Sequence, residues 1–367
     1  MKLLLLLLPH LLPTPTDTSL SEDELIACVS SKTTNWTAEI TSDPNLPFDK
    51  LKSLNPELDF SFTKDKISVL FHRNLTVPKS FDARDKWPEC TNVISRIRHQ
   101  GKCLSSWAVA PASVFSDRIC TGTKGSTKVH ISANDIMSCC EECILYNDRP
   151  CEGGLAYLAW SYLYKYGAVT GGELDSKEGC QPYSDAFFRG EETPCSEFCE
   201  NLIYGSTFSR DKYFPGFVYL VPAEEKQIQM EIFDDGPVMA VMVVYEDIMT
   251  YRRGVYEHVC GEKMGYMAVK ILGWGVENEI KYWLLANSWG PEWGDSGFFK
   301  IVRGENHCNI EKEIRAGRII GINARQEFVR SNPAFDADTT SGGKKLWDRV
   351  SLLPFYLVCL KFYGLIV

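Results

Sequence analysis

Ser106 and Met267 determine what chemistry this chain can perform. Ser106 lies in residues 100–107 (Gln-Gly-Lys-Cys-Leu-Ser-Ser-Trp), and Met267 lies in residues 264–269 (Met-Gly-Tyr-Met-Ala-Val). A serine hydroxyl attacks a carbonyl carbon only when an adjacent general base accepts its proton. The thioether of methionine has no basic site near neutral pH. If these two residues face each other, the site holds a hydroxyl without a base, and hydrolysis is not expected.

Ordered motifs surround these two residues and extend over much of the chain. They include Ser80-Phe81-Asp82-Ala83-Arg84, Gln100-Gly101, Gly153-Gly154, Gly179-Cys180-Gln181-Pro182-Tyr183, Ile271-Leu272-Gly273-Trp274-Gly275 and Ala286-Asn287-Ser288-Trp289. With these motifs, residues 80–321 resemble the papain family of cysteine proteases and, within it, cathepsin B. The resemblance implies an α+β, papain-like fold of two lobes. The left lobe would be helical, the right lobe an antiparallel β-barrel, and the cleft between them the place where a ligand binds.

Local patterns locate some of the elements that would build these lobes. Apolar runs bounded by turn formers predict strands at residues 237–245, 266–272 and 281–286. The main helix is expected to begin near Ser105, although Pro111 in its first turns lacks the N–H of a helical residue. Ser21 followed by Glu24 is the capping-box pattern of a helix start.

The resemblance assigns roles to the two decisive residues and to two others. In the papain family, the position of Ser106 holds the nucleophilic cysteine and the position of Met267 holds its histidine base. Asn287, which would orient that imidazole, and Gln100, which would help form an oxyanion hole, are retained. The resemblance therefore implies a protease fold without protease activity. The alternative is a peptidase that uses Ser106 with an unidentified base.

Six further positions would line the cleft, namely Gly153, Gly154, Glu313, Trp289, Leu104 and Tyr266. The resemblance implies that the two glycines pair with an extended peptide backbone and that Glu313 admits basic side chains to the second pocket. Trp289 would shield the retained asparagine. Leu104 and Tyr266 replace glycines that let the substrate backbone approach closely, so they would fill part of the cleft.

Fourteen cysteines fit a secretory route, in which disulfides persist. Spacing alone does not define their pairing. The resemblance implies five bridges: Cys90–Cys120, Cys103–Cys151, Cys139–Cys195, Cys140–Cys143 and Cys180–Cys199. Cys260 and Cys308 are then left over, free or paired with each other, while Cys28 and Cys359 lie outside the domain. No Cys-x-x-Cys pair is matched by a second one, so neither a metal site nor a cofactor is expected.

Four segments are predicted along the chain. Residues 1–19, with Lys2 before a run of leucines, read as a secretory signal peptide. Residues 20–79 resemble a cathepsin B propeptide, residues 80–321 the peptidase domain, and residues 322–367 form a C-terminal extension with an apolar tail. The tail is compatible with a membrane span, with a lipid-anchor signal, or with a disordered appendage or gene-prediction error. The last reading is favoured, and membrane anchoring is disfavoured.

Charge and sequons restrict partners and location. A net charge of −9 argues against a nucleic-acid partner, which favours a basic patch. Asn35 and Asn74 begin sequons, which predict glycans on a secreted protein. The expected partner is a peptide or protein ligand in the cleft, such as a cystatin-like inhibitor or a protease. The expected location is secreted or extracellular, with the lysosomal or endosomal lumen as the alternative.

Overall fold

The computed structural model describes residues 20–41, 43–46, 48, 67–73, 75–145 and 149–319. The predicted signal peptide, the sequon at Asn74, Cys359 and the C-terminal extension lie outside the described residues. Within the described ranges, none of the helices combines the length and the apolar character needed to cross a bilayer.

The described helices include one before the domain and a group that forms the helical lobe. They are α1 (Glu22–Lys32), α2 (Ala83–Lys86), α3 (Thr91–Ile94), α4 (Ser106–Gly122), α5 (Ala133–Cys139), α6 (Ala156–Tyr166), α7 (Asp185–Phe188) and α8 (Glu225–Asp235). The main helix, α4, begins one residue after the predicted Ser105 and is buried from Trp107 to Thr121. It packs on α6 and on the sheet, which fixes the direction of its first turn.

Pro111 does not interrupt α4. The helix continues to Gly122, although proline cannot donate the hydrogen bond that the carbonyl four residues earlier would accept. Neighbouring apolar residues of α4 are almost fully buried in the core of the helical lobe. The apolar packing around Pro111 therefore outweighs the loss of one backbone hydrogen bond.

The strands form one main sheet. They are β1 (Trp36–Ala38), β2 (Phe81–Asp82), β3 (Phe217–Val221), β4 (Val238–Tyr245), β5 (Tyr251–Tyr256), β6 (Lys263–Glu277), β7 (Ile280–Ala286), β8 (Phe298–Val302) and β9 (Ile314–Arg318). The order is β1-β5-β8-β7-β6-β4-β9-β3, and β2 pairs with β6. The strands predicted at residues 237–245, 266–272 and 281–286 lie in β4, β6 and β7.

The α+β fold class is confirmed, but the sheet is open. Its end strands, β1 and β3, are not paired with each other among the described residues. One neighbouring pair, β5 with β8, is parallel and the others are antiparallel. The right lobe, expected as an antiparallel β-barrel, is an open, mixed sheet, and β1 of the N-terminal segment extends its edge beyond β5.

The N-terminal segment, of which residues 20–41, 43–46 and 48 are described, packs against the domain. Ser21 and Glu24 form the predicted capping box, with the Ser21 hydroxyl accepting from the Glu24 N–H and the Glu24 carboxylate accepting from the Ser21 N–H. Strand β1 pairs with β5 so that Trp36 lies opposite Gly254. Gly254 has φ +97°, and a side chain there would overlap the backbone of residues 35 and 36.

Six disulfides join described cysteines. Five are those that the resemblance implies: Cys90–Cys120, Cys103–Cys151, Cys139–Cys195, Cys140–Cys143 and Cys180–Cys199. For the remaining cysteines, the expectation that Cys28 lies apart from the domain and that Cys260 is free or bonded to Cys308 is wrong, whereas a free Cys308 was one of the alternatives. Cys28 is bonded to Cys260, and Cys308 is the free cysteine among the described residues. The reason is that α1 packs on the right lobe and brings the two Cα atoms to 6.3 Å.

Candidate active site

Ser106 is the first residue of α4 and is half-buried. The preceding turn is fixed by the Cys103–Cys151 disulfide and by Ser105, whose hydroxyl lies 2.9 Å from the Tyr183 hydroxyl. The Ser106 oxygen accepts a hydrogen bond of 3.2 Å from the backbone N–H of Ala268. The structure therefore brings Ser106 beside the strand that carries Met267, and its hydrogen-bond partner is a backbone donor rather than a base.

Met267 belongs to the apolar core. Its side chain is 4% exposed, and it lies opposite Met242 in the register of β6 with β4. It belongs to the same buried cluster as Leu104 and Trp289. A thioether in this environment can pack but cannot accept a proton from a serine near neutral pH.

The residues expected to form the oxyanion hole keep a rigid frame. Gln100 is 2% exposed. Its side-chain N–H donates to the Cys103 carbonyl at 2.7 Å, and its side-chain oxygen accepts from the Ser288 hydroxyl at 2.6 Å. Since an amide nitrogen carries two donors, one N–H of Gln100 is committed to the turn before Ser106.

Asn287 is retained, but the position of the histidine that it would orient holds Met267. Its side-chain oxygen accepts from the Ser288 N–H at 2.8 Å. Its side-chain nitrogen is buried and has no hydrogen-bond partner. Trp289 is 1% exposed, with its ring edge-on to Trp293. An unpaired buried donor costs about 1–3 kcal/mol, so the side-chain nitrogen of Asn287 is destabilising as it stands.

The five histidines that the structure describes have partners away from Ser106. These are Glu231 for His72, Asp43 for His99, Arg96 for His130, Asp247 for His258 and the His258 N–H for His307. His99 directly precedes the site loop in sequence, but its second ring nitrogen accepts from the Gly101 N–H. No described histidine is therefore positioned as a replacement base.

The other residues predicted to line the cleft are two glycines and two larger side chains that stand where glycines are expected. Gly154 packs so closely on the Trp107 ring that a Cβ atom would overlap it, and Gly153 has φ +115°. Leu104 is 7% exposed and belongs to the core. Tyr266 is half-buried, with Lys263 Nζ 3.1 Å from its hydroxyl. The space that glycines would leave open is thus partly filled.

Glu313 does not present a free carboxylate. Its Oε1 lies 2.9 Å from Nε of Arg315, two residues later at the start of β9. Arg315 is 0% exposed, and its two terminal nitrogens have no hydrogen-bond partner. The pairing of Glu313 with a basic side chain of a ligand stays a prediction, but a basic group of the chain itself already neutralises this carboxylate. The spacing of two residues between an acidic and a basic side chain was the signal that sequence reasoning missed.

The N-terminal segment reaches the site loops. A carboxylate oxygen of Asp43 lies 2.7 Å from Nε2 of His99, and the Phe48 ring is edge-on to Trp289 at 5.3 Å. Burial raises the pKa of Asp43, but hydrogen bonds from Asn45 and His99 outweigh it and hold this pKa below its usual value. The described part of the segment therefore lies across the rim of the cleft.

This arrangement, with a helix-terminal residue facing a sheet and an N-terminal segment over the cleft, defines a two-lobed protein of the papain type. A family profile described as "Papain family cysteine protease" matches residues 77–318. "Cathepsin B-like cysteine proteinase 4" of Caenorhabditis elegans is 39% identical over 314 residues, which cover 81% of this chain and 92% of the relative. A "Cathepsin B-like cysteine proteinase" of Schistosoma japonicum is 40% identical over 260 residues, covering 67% and 74%.

Solved structures agree with these relatives. "proCathepsin B S9 from Trypanosoma congolense" matches with a TM-score of 0.66 and 33% identity, covering 78% of this chain and 93% of that one. The digestive procathepsin L 3 of Tenebrio molitor, at 19% identity and a TM-score of 0.58, shares the fold. The chain therefore belongs to the papain family of cysteine proteases, in its cathepsin B-like group.

Proposed function

We propose that this chain is a cathepsin B-like protein that binds a peptide or protein ligand without hydrolysing it. The observation that carries the proposal is the environment of Ser106. Its hydroxyl accepts from the Ala268 N–H, while the base position holds a buried methionine. The relatives named above are called cysteine proteinases, so the proposal separates this chain from them in activity and not in fold.

The two replacements act together. In the family's chemistry the attacking group is a thiolate, whose pKa is lowered by a helix N-terminus and an imidazolium. Ser106 at the start of α4 keeps the helix N-terminus, but neither the thiol nor the imidazolium. The remaining oxyanion and binding contacts of such a site would give only about 10³–10⁴-fold acceleration over water. An ordinary peptidase assay would record this as no activity.

The ligand class follows from what still lines the cleft. The Gly153–Gly154 backbone and the rim contacted by the chain's own segment suit an extended peptide, a cystatin-like inhibitor or a protease partner. The six disulfides support a secretory route. The proposed location is secreted or extracellular, with the lysosomal or endosomal lumen as the alternative.

Hydrolysis of a fluorogenic basic dipeptide substrate tests the proposal. The wild-type protein, Ser106→Ala and the restored variant Ser106→Cys with Met267→His are compared, each before and after removal of the N-terminal segment. We expect no signal from the first two proteins. A wild-type rate that disappears in Ser106→Ala would overturn the proposal and identify a serine-dependent peptidase.

Binding is tested separately with a fluorescently labelled cystatin-type inhibitor. Saturable binding by wild-type protein and Ser106→Ala alike would support a ligand-binding role. Binding weaker than millimolar to a folded protein whose cleft has been freed of the segment would contradict a role for the cleft in binding this class of ligand.

A further inference from the structure

A disulfide joins the N-terminal segment to the domain. Cys28 in α1 is bonded to Cys260, which lies just before β6, and the two residues are separated by 232 positions in sequence. The Cα–Cα distance of 6.3 Å is within the range of ordinary disulfides. All ten cysteines between these two in sequence are paired among themselves. The bond is thus the one covalent connection between the described N-terminal segment and the right lobe other than the polypeptide chain.

The segment is packed as a part of the core. Leu25, Val29 and Trp36 are 0%, 1% and 3% exposed. They belong to the same buried cluster as Met267 and Trp289 of the candidate site. The apolar contacts therefore hold α1 and β1 against the lobe on both sides of the disulfide.

Polar contacts continue this attachment toward the cleft. Lys32 donates to the Val259 carbonyl at 2.8 Å, next to the disulfide, and the Trp36 indole donates to the Glu257 carbonyl at 3.0 Å. Further along, Asp43 pairs with His99. The contacts form a continuous path from the disulfide to the loop that precedes Ser106.

We propose that the described residues 20–41 and 43–46 are a permanent, covalently held ligand of the cleft rim. A protease that cuts the chain between residues 48 and 67 converts the protein into two polypeptides that remain joined, and the segment is not released by that cut. Release requires reduction as well. A dithiol reductant transfers two electrons and two protons to the disulfide, which yields free thiols at Cys28 and Cys260 and a cyclic disulfide on the reductant.

Cutting the chain therefore does not lower the concentration of the segment at the cleft rim. A non-covalent fragment leaves when its free concentration falls below its Kd, whereas a tethered one keeps a millimolar effective concentration at its site. For a fragment that binds at micromolar Kd, the tether keeps the ratio of bound to unbound segment at about 10³ however far the protein is diluted. An external ligand therefore competes with the chain's own segment until both bonds are broken.

The experiment uses the full chain with residues 51–57 replaced by the recognition site of a sequence-specific protease. Four forms are cut to completion: this parent protein, Cys28→Ser with Cys260→Ser, Cys260→Ser alone, and Cys308→Ser as the matched control. Each is analysed by intact mass in denaturant without and with reductant. Native size-exclusion chromatography then measures how much fragment stays bound after extensive dilution.

We expect the cut parent and the Cys308→Ser control to run as one species without reductant and as two species with it. Both variants that lack Cys260 should give two species in either condition. In native chromatography the parent should retain its fragment at least tenfold longer than they do. Because mass and retention are measured rather than hydrolysis, the outcome is independent of whether Ser106 is catalytic.

Two results would overturn the inference. One is separation of the cut parent into two species in denaturant without reductant, with peptide mapping that places Cys260 on Cys308. The other is equal native retention of the fragment by parent and double-serine variant. If the serine variants do not fold, brief treatment of the native cut parent with a mild phosphine reductant gives the same comparison, and retention unchanged by that treatment also contradicts the tether.

Discussion

Nε2 of His99 lies 2.7 Å from a carboxylate oxygen of Asp43, so the histidine beside Gln100 is held by the N-terminal segment and not by Ser106. The pair is only partly exposed, at 22% and 12% of the two side chains. It couples the loop of the expected oxyanion hole to residues that precede the domain. Because the pair joins these two parts, its effect on how the segment is held over the cleft can be measured at individual residues.

Asp43→Asn is expected to loosen the segment near the site. Because the hydrogen bonds of the folded state lower the pKa of Asp43, the stabilisation is present above the usual value near 3.8 and is lost as pH falls through the lowered pKa. Hydrogen exchange of residues 36–46 at pH 6.5 should therefore quicken severalfold in the variant.

Glu39→Gln is the matched control for Asp43→Asn. Glu39 pairs with Arg252 at 3.4 Å, but its side chain is 62% exposed, and such surface pairs contribute at most about 1 kcal/mol. Exchange in this variant should resemble that of the wild type. An equal effect of both substitutions would mean that the Asp43–His99 pair has no special role in holding the segment.

His72→Gln should reveal a pH-dependent contact of the segment with the domain. His72 Nε2 lies 2.6 Å from a carboxylate oxygen of buried Glu231, and this hydrogen bond raises the pKa of His72 above 6.5. The stabilisation is thus fully present below pH 6.5 and is lost as pH rises through the raised pKa. The variant should unfold at a lower temperature than wild type at pH 5.5, and the difference should shrink at pH 8.5.

His130→Gln is the control, because burial lowers the pKa of His130 to about 3 and this ring stays neutral over the same range. Its melting temperature relative to wild type should not change between pH 5.5 and 8.5. A His72→Gln difference that grows with pH would contradict the assigned sign.

Glu313 and Arg315 should respond unequally to mutation. Glu313→Gln leaves a fully buried guanidinium without its carboxylate, which is expected to cost on the order of 3 kcal/mol. Arg315→Met removes a charge whose terminal nitrogens already lack partners, so it should cost less. The double variant should be more stable than Glu313→Gln alone. Denaturant unfolding midpoints test this order, and an Arg315→Met loss as large as the Glu313→Gln loss would refute it.

A cysteine at position 106 should report the missing imidazole. In a Cys308→Ser background, Ser106→Cys should be alkylated by iodoacetamide with a pH midpoint below the free-thiol value of about 8.5, because the helix N-terminus remains. Adding Met267→His should extend the reaction to about pH 5–6, because an imidazolium stabilises the thiolate. Identical profiles for the two variants would mean that the side chains at 106 and 267 do not interact.

Much of the fold followed from local patterns and from the resemblance. The capping box at Ser21, the start of α4 and the strands β4, β6 and β7 are set by short-range sequence, and the motifs fixed how they pack. The right lobe was predicted as an antiparallel β-barrel, whereas the sheet is open and carries β1 at its edge, next to β5. Edge occupancy depends on a pairing between Trp36 and Gly254, far apart in sequence, which no local pattern encodes.

The site was predictable in its residue types but not in its contacts. Ser106 and Met267 could be located from their motifs, whereas the Ala268 N–H as the partner of Ser106 depends on the relative position of helix and strand. The disulfide of Cys28 was missed because spacing carries no information on pairing over 232 residues. The neutralisation of Glu313 by Arg315 was visible in the i, i+2 spacing and was overlooked.

The Cys28–Cys260 disulfide also constrains the order of biosynthesis. The thiol of Cys28 leaves the ribosome long before Cys260, and ten other cysteines are made in the interval. Each of those ten could form a non-native disulfide with Cys28. Correct oxidation therefore requires that they pair with one another while Cys28 remains a free thiol. The yield of correctly folded protein should therefore depend on disulfide isomerase, and the last bond to close would be the one that joins α1 to the right lobe.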